Sequence, residues 1–402
     1  MAHFIVVGGG QAGASLVTKL RNSGFDGEIT LIGAEPVPPY ERPPLSKAYL
    51  LGEMAQERLY LRPAQVYEDL DITLRLGSSV TAIDTAARTV ALGNEVLGYD
   101  KLALCTGSHP RRLPAAIGGD LDHVFTVRTL ADVDAMAPQV REGRRALIVG
   151  GGYIGLEAAA VAAKKGMQVT LVEMGQRILQ RVAAPETAEH FRALHRSHGV
   201  EILEGLGLER LLGEGAVSGA RLTDGSEIAV DMVVVGVGIA PATELAEAAG
   251  LEIDNGIKVD AQGRTSAPDV FAAGDCTSFP YKGERIRLES VPNAIDQAEV
   301  VAQNMMGGAV EYVATPWFWS DQYDCKLQIA GLNTGYDHVE TRHGADGRTS
   351  FWYFHGETLV AVDAMNDARG YMVAKRLIEA GKTITRAEVH TPDGELKALL
   401  KR

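Results

Sequence analysis

The sequence predicts an α/β chain with two parallel-sheet, dinucleotide-binding units and a smaller α+β segment at its C-terminal end. Three observations predict it. The turn Gly8-Gly9-Gly10-Gln11-Ala12-Gly13 follows a short apolar run and opens a helical stretch. The turn Gly150-Gly151-Gly152-Tyr153-Ile154-Gly155 does the same. Beyond Thr315 the composition shifts to aromatic and short β-like runs. A length of 402 residues suits two or three domains.

The first unit reads as strand Phe4–Val7, the glycine turn, and a helix with Ala12, Leu16, Val17 and Leu20 on one face. Gly24 is placed to cap that helix, and Ile29–Ile32 is the next strand. Lys101–Leu104 is a buried-strand candidate leading into Cys105-Thr106-Gly107. The second unit repeats the grammar: strand Ala146–Val149, glycine turn, an Ala-rich helix to Lys165, Gly166 as cap, strand Val169–Val172. Each β-α-β unit builds a parallel sheet. Met232–Val235 and Asp269–Ala273 read as strands that run into Gly236-Val237-Gly238 and Gly274-Asp275. Pro292 suits the first position of a helix reaching Met306. In the tail, Ser350–Phe354 and Leu359–Val362 read as strands, and Arg369–Ala380 as an amphipathic helix.

In such turns the first glycine (Gly8, Gly150) permits the tight bend, and the second (Gly10, Gly152) lets the main chain approach a pyrophosphate. The third (Gly13, Gly155) lets helix pack on strand. The N–H groups at the helix start then hold phosphate. Glu173 ends the strand of the second unit, where a carboxylate binds ribose hydroxyls and repels a 2′-phosphate. The diffusing coenzyme is therefore expected to be NADH; Arg177, four residues on, could soften that preference, though a simply solvated side chain is the plainer expectation. Glu35 follows the first unit's strand and is the counterpart expected to hold a ribose.

A net charge of −13 argues against non-specific nucleic-acid binding. No apolar run is long enough to span a membrane. Met1-Ala2-His3 leads straight into Phe4–Val7 without the basic region of a secretion signal, which predicts a cytoplasmic protein. Cys105, Cys276 and Cys325 are far apart and form no Cys-x-x-Cys pair, so they read as small buried side chains rather than a redox pair. The histidines form no ligand-spaced cluster, and no metal is expected.

Arg42-Pro43-Pro44-Leu45-Ser46-Lys47 fixes the backbone around one lysine. With Gly150–Glu157, Val270–Asp275, Glu289–Ala294 and Trp317–Tyr323, it makes nearly the whole chain resemble ferredoxin reductases of the putidaredoxin-reductase type. That resemblance implies a glutathione-reductase-like architecture. Residues 1–108 and 237–314 would bind FAD, 109–236 would bind NAD, and 315–402 would form a C-terminal interface domain. It places Lys47 by the flavin N5, paired with Glu157, which would also contact the nicotinamide carboxamide. It assigns Ala12, Lys47, Val80, Arg128, Asp275 and Val291 to FAD contact, and Trp319 to partial cover of the flavin. Ala34, Arg42, Thr106, Gly107, Gly238 and Gly274 complete the expected cofactor-binding set. Relatives commonly carry an acid where Ala34 stands, so the ribose contact passes to Glu35 or to the main chain.

The same resemblance implies the reaction. NADH gives a hydride to FAD, and electrons then pass singly to a [2Fe–2S] ferredoxin serving a haem monooxygenase or a ring-hydroxylating dioxygenase. Arg285, Arg287, Lys375 and Arg376 are candidates for meeting that partner. Disulfide and peroxide reductases of this fold need cysteine by the flavin, and Arg42–Lys47 has none. A rubredoxin or nitrite-reducing partner, and an NADH-sensing protein similar to apoptosis-inducing factor, stay open. So does the choice between monomer and homodimer.

Overall fold

The computed structural model describes residues 1–401. The chain divides into two compact units. One comprises Met1–Arg42, Met54–His109 and Ile239–Pro316; the other comprises Pro43–Glu53, Pro110–Gly238 and the residues from Trp317 onward.

The first unit is built on a five-stranded parallel sheet. Its order is Val270–Ala272, Lys101–Leu104, His3–Val7, Glu28–Ile32 and Ile72–Arg75. Its strands are runs of Val, Ile, Leu and Ala, as expected where both faces are covered. On one face the helices Gln11–Asn22 and Val291–Met305 pack together through Leu16, Leu20, Ala298, Val301 and Ala302. Ser290 caps the second of these helices by accepting the Asn293 N–H at 3.3 Å, a cap that makes the following Val-Pro a helix start. The opposite face carries Val80, Ile83, Tyr99, Leu251 and Phe279. A three-stranded antiparallel sheet, Ala82–Asp84, Thr89–Leu92 and Glu95–Gly98, is added to this unit.

The second unit repeats the parallel sheet in the order Glu201–Glu204, Gln168–Glu173, Arg145–Val149, Met232–Val235 and Val124–Phe125. Its glycine-led helix runs Tyr153–Lys164 and is buried along most of its length, which its alanines allow. The tail forms a five-stranded antiparallel sheet in the order Trp317–Gln322, Cys325–Gly331, Thr358–Met365, Thr349–His355 and His338–His343. The helix Ala368–Glu379 lays Tyr371, Ala374 and Leu377 against Trp352, Phe354 and Val362 of that sheet. Within the same unit the strand Trp317–Gln322 and the short helical segment Leu45–Tyr49 both pack on the helix Tyr153–Lys164.

Candidate active site: two glycine turns and a buried ion pair

In the first unit the candidate residues gather at the C-terminal ends of the parallel strands, where α/β sheets bind ligands. Gly8 follows His3–Val7 at φ +120°, and a Cβ there would stand 2.1 Å from the Cys105 carbonyl oxygen. A Cβ on Gly13 would stand 2.0 Å from the Gly8 oxygen. Both positions exclude any side chain. Gly10 differs: it caps the helix without a side-chain hydrogen bond, and a Cβ on it would meet nothing within 4 Å. Free N–H groups facing open space suit a pyrophosphate.

Around this turn, Ala12 is buried against Gly274, whose φ is +88°. Gly274 donates its N–H to Gln297 Oε1 at 2.8 Å, and Thr277 adds a second hydrogen bond at 2.9 Å. Asp275 accepts from the Ser108 hydroxyl at 3.2 Å. Thr106 donates to the Ala242 oxygen at 2.7 Å, and Gly107 has φ +72°. Val80 is buried, and Val291 is the first residue of its helix. Ala34 is exposed, while Glu35 receives the Tyr40 hydroxyl at 2.6 Å and the Arg42 guanidinium at 2.7 Å.

The second unit holds the other turn. Gly150 has φ +106°, and a Cβ on Gly155 would lie 2.1 Å from the Gly150 oxygen. Gly152 caps its helix with open space around it, as Gly10 does. Glu173 is held by main-chain donors, Gly151 N–H at 2.7 Å and Gly175 N–H at 2.6 Å. The Arg177 guanidinium is not solvated as expected. It is turned back on the main chain, donating to the Ala183 oxygen at 2.8 Å and more loosely to those of Ile178 and Ala184.

Ile154 is 46% exposed. The Tyr153 ring leans on Phe318 at 5.1 Å, and its buried hydroxyl has no hydrogen-bond partner among the described residues. Burial pushes that phenol well above its ordinary pKa. Gly238 has φ +105°. The Arg128 N–H reaches Asp132 at 3.1 Å, at the start of the helix Leu130–Met136. Trp319 is half-buried beside Trp317, with ring centroids 5.6 Å apart.

Lys47 belongs to this second unit, although Arg42 belongs to the first. Its backbone departs from helical values (φ −130°, ψ −110°) inside Leu45–Tyr49, and the Tyr49 N–H reaches back to the Pro44 oxygen at 3.0 Å. Lys165 ties down the same segment by donating to the Leu51 oxygen at 2.8 Å. Lys47 Nζ thereby meets Glu157 Oε1 at 2.9 Å, with the two side chains 18% and 4% exposed. Glu157 also accepts from Ser320 at 2.7 Å and Ser46 at 3.2 Å. Burial raises its pKa, and the Lys47 ammonium and the two hydroxyls pull it back. Such a pair can present a fixed positive charge to an electron-rich group, because leaving either partner alone here would be costly.

Comparison with known proteins agrees with these two turns. Residues 2–298 match the model of the pyridine nucleotide-disulphide oxidoreductases, and 317–400 match the reductase C-terminal model. The chain belongs to the pyridine nucleotide-disulphide oxidoreductase family. Within it, the chain is 46% identical over 384 residues to a ferredoxin–NAD(P)+ reductase of Sphingomonas sp., covering 94% of this chain and 92% of that one. It is 39% identical over 406 residues to the ferredoxin–NAD+ reductase component of the anthranilate 1,2-dioxygenase system of Burkholderia cepacia, covering 99% of each. The crystal structure of the covalent putidaredoxin reductase–putidaredoxin complex superposes with a TM-score of 0.95 and 38% identity, covering 100% of this chain and 99% of that one. The chain is thus an oxidoreductase of the ferredoxin-reductase group, with the α/β architecture expected of it.

Sequence reasoning missed several members of this reductase's site. Ser46 and Ser320 reach Glu157, Gln322 reaches Ser320, and Gln297 holds Gly274. Of these only Ser320, which follows the aromatic run Trp317-Phe318-Trp319, carries a signal in the sequence. Three docking candidates have partners within the chain: Arg285 donates to the Val259 oxygen at 2.9 Å, Arg287 donates to the Asn255 oxygen at 3.1 Å and pairs with Glu289, and Lys375 pairs with Glu379 at 3.3 Å.

Proposed function

We propose that this chain is an NADH-dependent ferredoxin reductase of the cytoplasm, passing electrons to a [2Fe–2S] ferredoxin that serves an oxygenase. The observation that carries the reading is the buried Lys47–Glu157 pair, in a segment without cysteine, set two residues past the third glycine of a nucleotide turn. Among the described residues no helix is long and apolar enough to cross a membrane, in keeping with a ferredoxin partner.

Residues 1–108 and 237–314 hold FAD through the first glycine turn, Glu35, Asp275 and the start of the helix Val291–Met305. The macrodipole of that helix favours negative charge at its N-terminal end. Residues 109–236 hold NADH through the second turn, with Glu173 on the ribose. Bound FAD supplies the change from hydride to single-electron chemistry. Lys47 holds a positive charge where electron density arrives, and Glu157 orients Lys47 and the nicotinamide carboxamide. Asp275 accepts a ribityl hydroxyl, and Trp319 excludes water.

The test is NADH oxidation by the purified protein with and without a [2Fe–2S] ferredoxin from the same source. A rate that is low alone and rises many-fold with ferredoxin supports the reading. A rate indifferent to ferredoxin, and to rubredoxin tried beside it, overturns it in favour of an oxidase or an NADH sensor.

A further inference from the structure

Behind Glu157 the hydrogen bonds continue inward. Ser320 Oγ lies 2.7 Å from Glu157 Oε1, Gln322 Nε2 3.2 Å from Ser320 Oγ, and His195 Nε2 2.8 Å from Gln322 Oε1. The Tyr323 hydroxyl ends the row, 3.3 Å from His195 Nδ1, and its ring stacks on His198 with centroids 3.7 Å apart. Ser320, Gln322 and His195 are all 0% exposed. Ser320 and Gln322 stand two apart on one strand and so share a face. A buried polar row of this kind is costly unless every member is paired.

Each proton in the row has one place to be. An ionised carboxylate only accepts, so Ser320 gives its single hydrogen to Glu157. The serine oxygen then accepts from the Gln322 amide N–H, which turns Gln322 Oε1 toward His195. That oxygen needs a hydrogen on His195 Nε2, leaving Nδ1 to accept from Tyr323. Every link therefore donates toward Glu157. Burial, the largest influence, lowers the His195 pKa to about 4, so the ring is neutral near pH 7 and has one hydrogen to give. A primary amide in the middle relays protons poorly, which suits a device for holding rather than conducting.

We propose that Ser320, Gln322 and His195 form a one-way hydrogen-bond relay that fixes the Glu157 carboxylate against Lys47. In this arrangement Gln322 and His195 act as positioning residues for hydride uptake from two and three side chains away. The inference rests on the reading of Lys47 and Glu157 given under the proposed function. Ser320 and Lys47 meet the same carboxylate oxygen, so a change in the serine's aim is felt directly at the ammonium.

Two measurements test it. The first needs no turnover: the nitrogen-15 spectrum of histidine-labelled holoprotein, with the His195 signals assigned by their loss in His195→Gln. Hydrogen on Nε2, unchanged between about pH 6 and 8, is expected for a buried neutral ring; hydrogen on Nδ1 overturns the relay. The second is stopped-flow reduction of the flavin by NADH. Ser320→Ala and Gln322→Leu should each lower the limiting rate on the order of tenfold, as small misplacements do, while leaving FAD content and the Kd for NADH unchanged. His195→Phe should act alike, and His195→Gln, which keeps an N–H in the place of Nε2, should restore most of the rate.

In a Lys47→Met background Ser320→Ala should cost nothing further, since the two act as one unit. A full additional loss there, or a wild-type rate in Ser320→Ala alone, overturns the relay. A wild-type rate in Lys47→Met overturns the Lys47 reading instead, and the histidine spectrum still judges the hydrogen-bond row by itself.

Discussion

The two glycine turns share a backbone but fasten their carboxylates differently. In both, the first glycine N–H reaches the end of the neighbouring strand: Gly8 to Ile32 at 2.8 Å, Gly150 to Val172 at 2.9 Å. By that register Glu173 corresponds to Gly33. Gly151 donates its N–H to Glu173, whereas Gly9 faces the bare Cα of Gly33, which a Cβ on Gly9 would approach to 3.2 Å. In the first turn the acid lies two residues farther on, where Glu35 is steadied by the side chains of Arg42 and Tyr40. A carboxylate held by main chain moves only if the turn moves; one held by side chains can adjust. The first arrangement suits a coenzyme that must be chosen on every encounter. The second suits one bound once and kept.

The largest expected effects come from closing the turns. Gly13→Ala and Gly155→Ala both force a Cβ to about 2 Å from a carbonyl oxygen, a clash that belongs to the severe class of above about 4 kcal/mol if not relieved. Gly13→Ala should yield protein without flavin. Gly155→Ala should keep its yellow colour, reduce with dithionite and fail with NADH. The same phenotype in both would break the division of labour between the turns.

Next comes the position two past the third glycine, Ser15 in one turn and Glu157 in the other. Lys47→Met or Glu157→Gln should slow flavin reduction at saturating NADH by about a hundredfold, the usual cost of a lost electrostatic donor, with FAD retained. Ser15→Ala should leave that rate within twofold, roughly the scatter of a neutral surface change. Smaller still, Glu173→Ala should narrow the NADH over NADPH ratio of kcat/KM by about tenfold, the worth of one charge-assisted hydrogen bond. Glu35→Ala should leave the ratio alone and speed FAD loss; an unchanged ratio in Glu173→Ala would sink the coenzyme assignment.

The smallest effect concerns what lies beneath each unit's strands. Under the first turn Gln297 is a neutral amide. In the second unit Asp363 is buried, accepts from Thr187 at 2.7 Å and from Tyr353, and is raised by burial to about 6. A carboxyl raised in the folded state favours folding below its unfolded value of about 4, and that contribution is lost as pH climbs through the folded value. Asp363→Asn carries no such charge, so its melting temperature relative to wild type should rise by a few degrees from pH 4 to pH 7. Gln297→Leu should lower stability by a similar amount at every pH, and a pH-independent gap for Asp363→Asn would count against a buried charge.

Much of this was legible in the sequence because it is local. The glycine turns, their strands and helices, and the placement of Glu173 depend on residues within one β-α-β unit, and each element lies within a residue or two of where its pattern puts it. The three cysteines are buried, in keeping with their reading as small core side chains. The support of Glu157 was illegible for the opposite reason. Ser320 lies 163 residues from Glu157, and Gln322 lies 127 from His195, so no window of sequence contains both ends of either contact. The strand Trp317–Gln322 also inverts the usual alternation. Its aromatic Trp317 and Trp319 stay half-exposed while Ser320 and Gln322 are buried, because the polar face is the one that meets the helix Tyr153–Lys164. Arg177 escaped for a related reason: its partners are carbonyl oxygens, which carry no side-chain signature.

That guanidinium has a consequence for how the coenzyme preference could ever change. A cation four residues past Glu173, the proposed ribose ligand, is the obvious counter-charge for a 2′-phosphate, and here its donors are already engaged with the loop from Ile178 to Ala184. On the proposed assignment of Glu173 to the ribose, preference is stored twice, in a carboxylate that repels and in a guanidinium held out of reach. A single substitution at Glu173 leads only to indifference between coenzymes. Reversal takes a second event that unfastens Arg177 from the chain it now braces, so a lineage or a designer would have to cross a non-selective intermediate to get there.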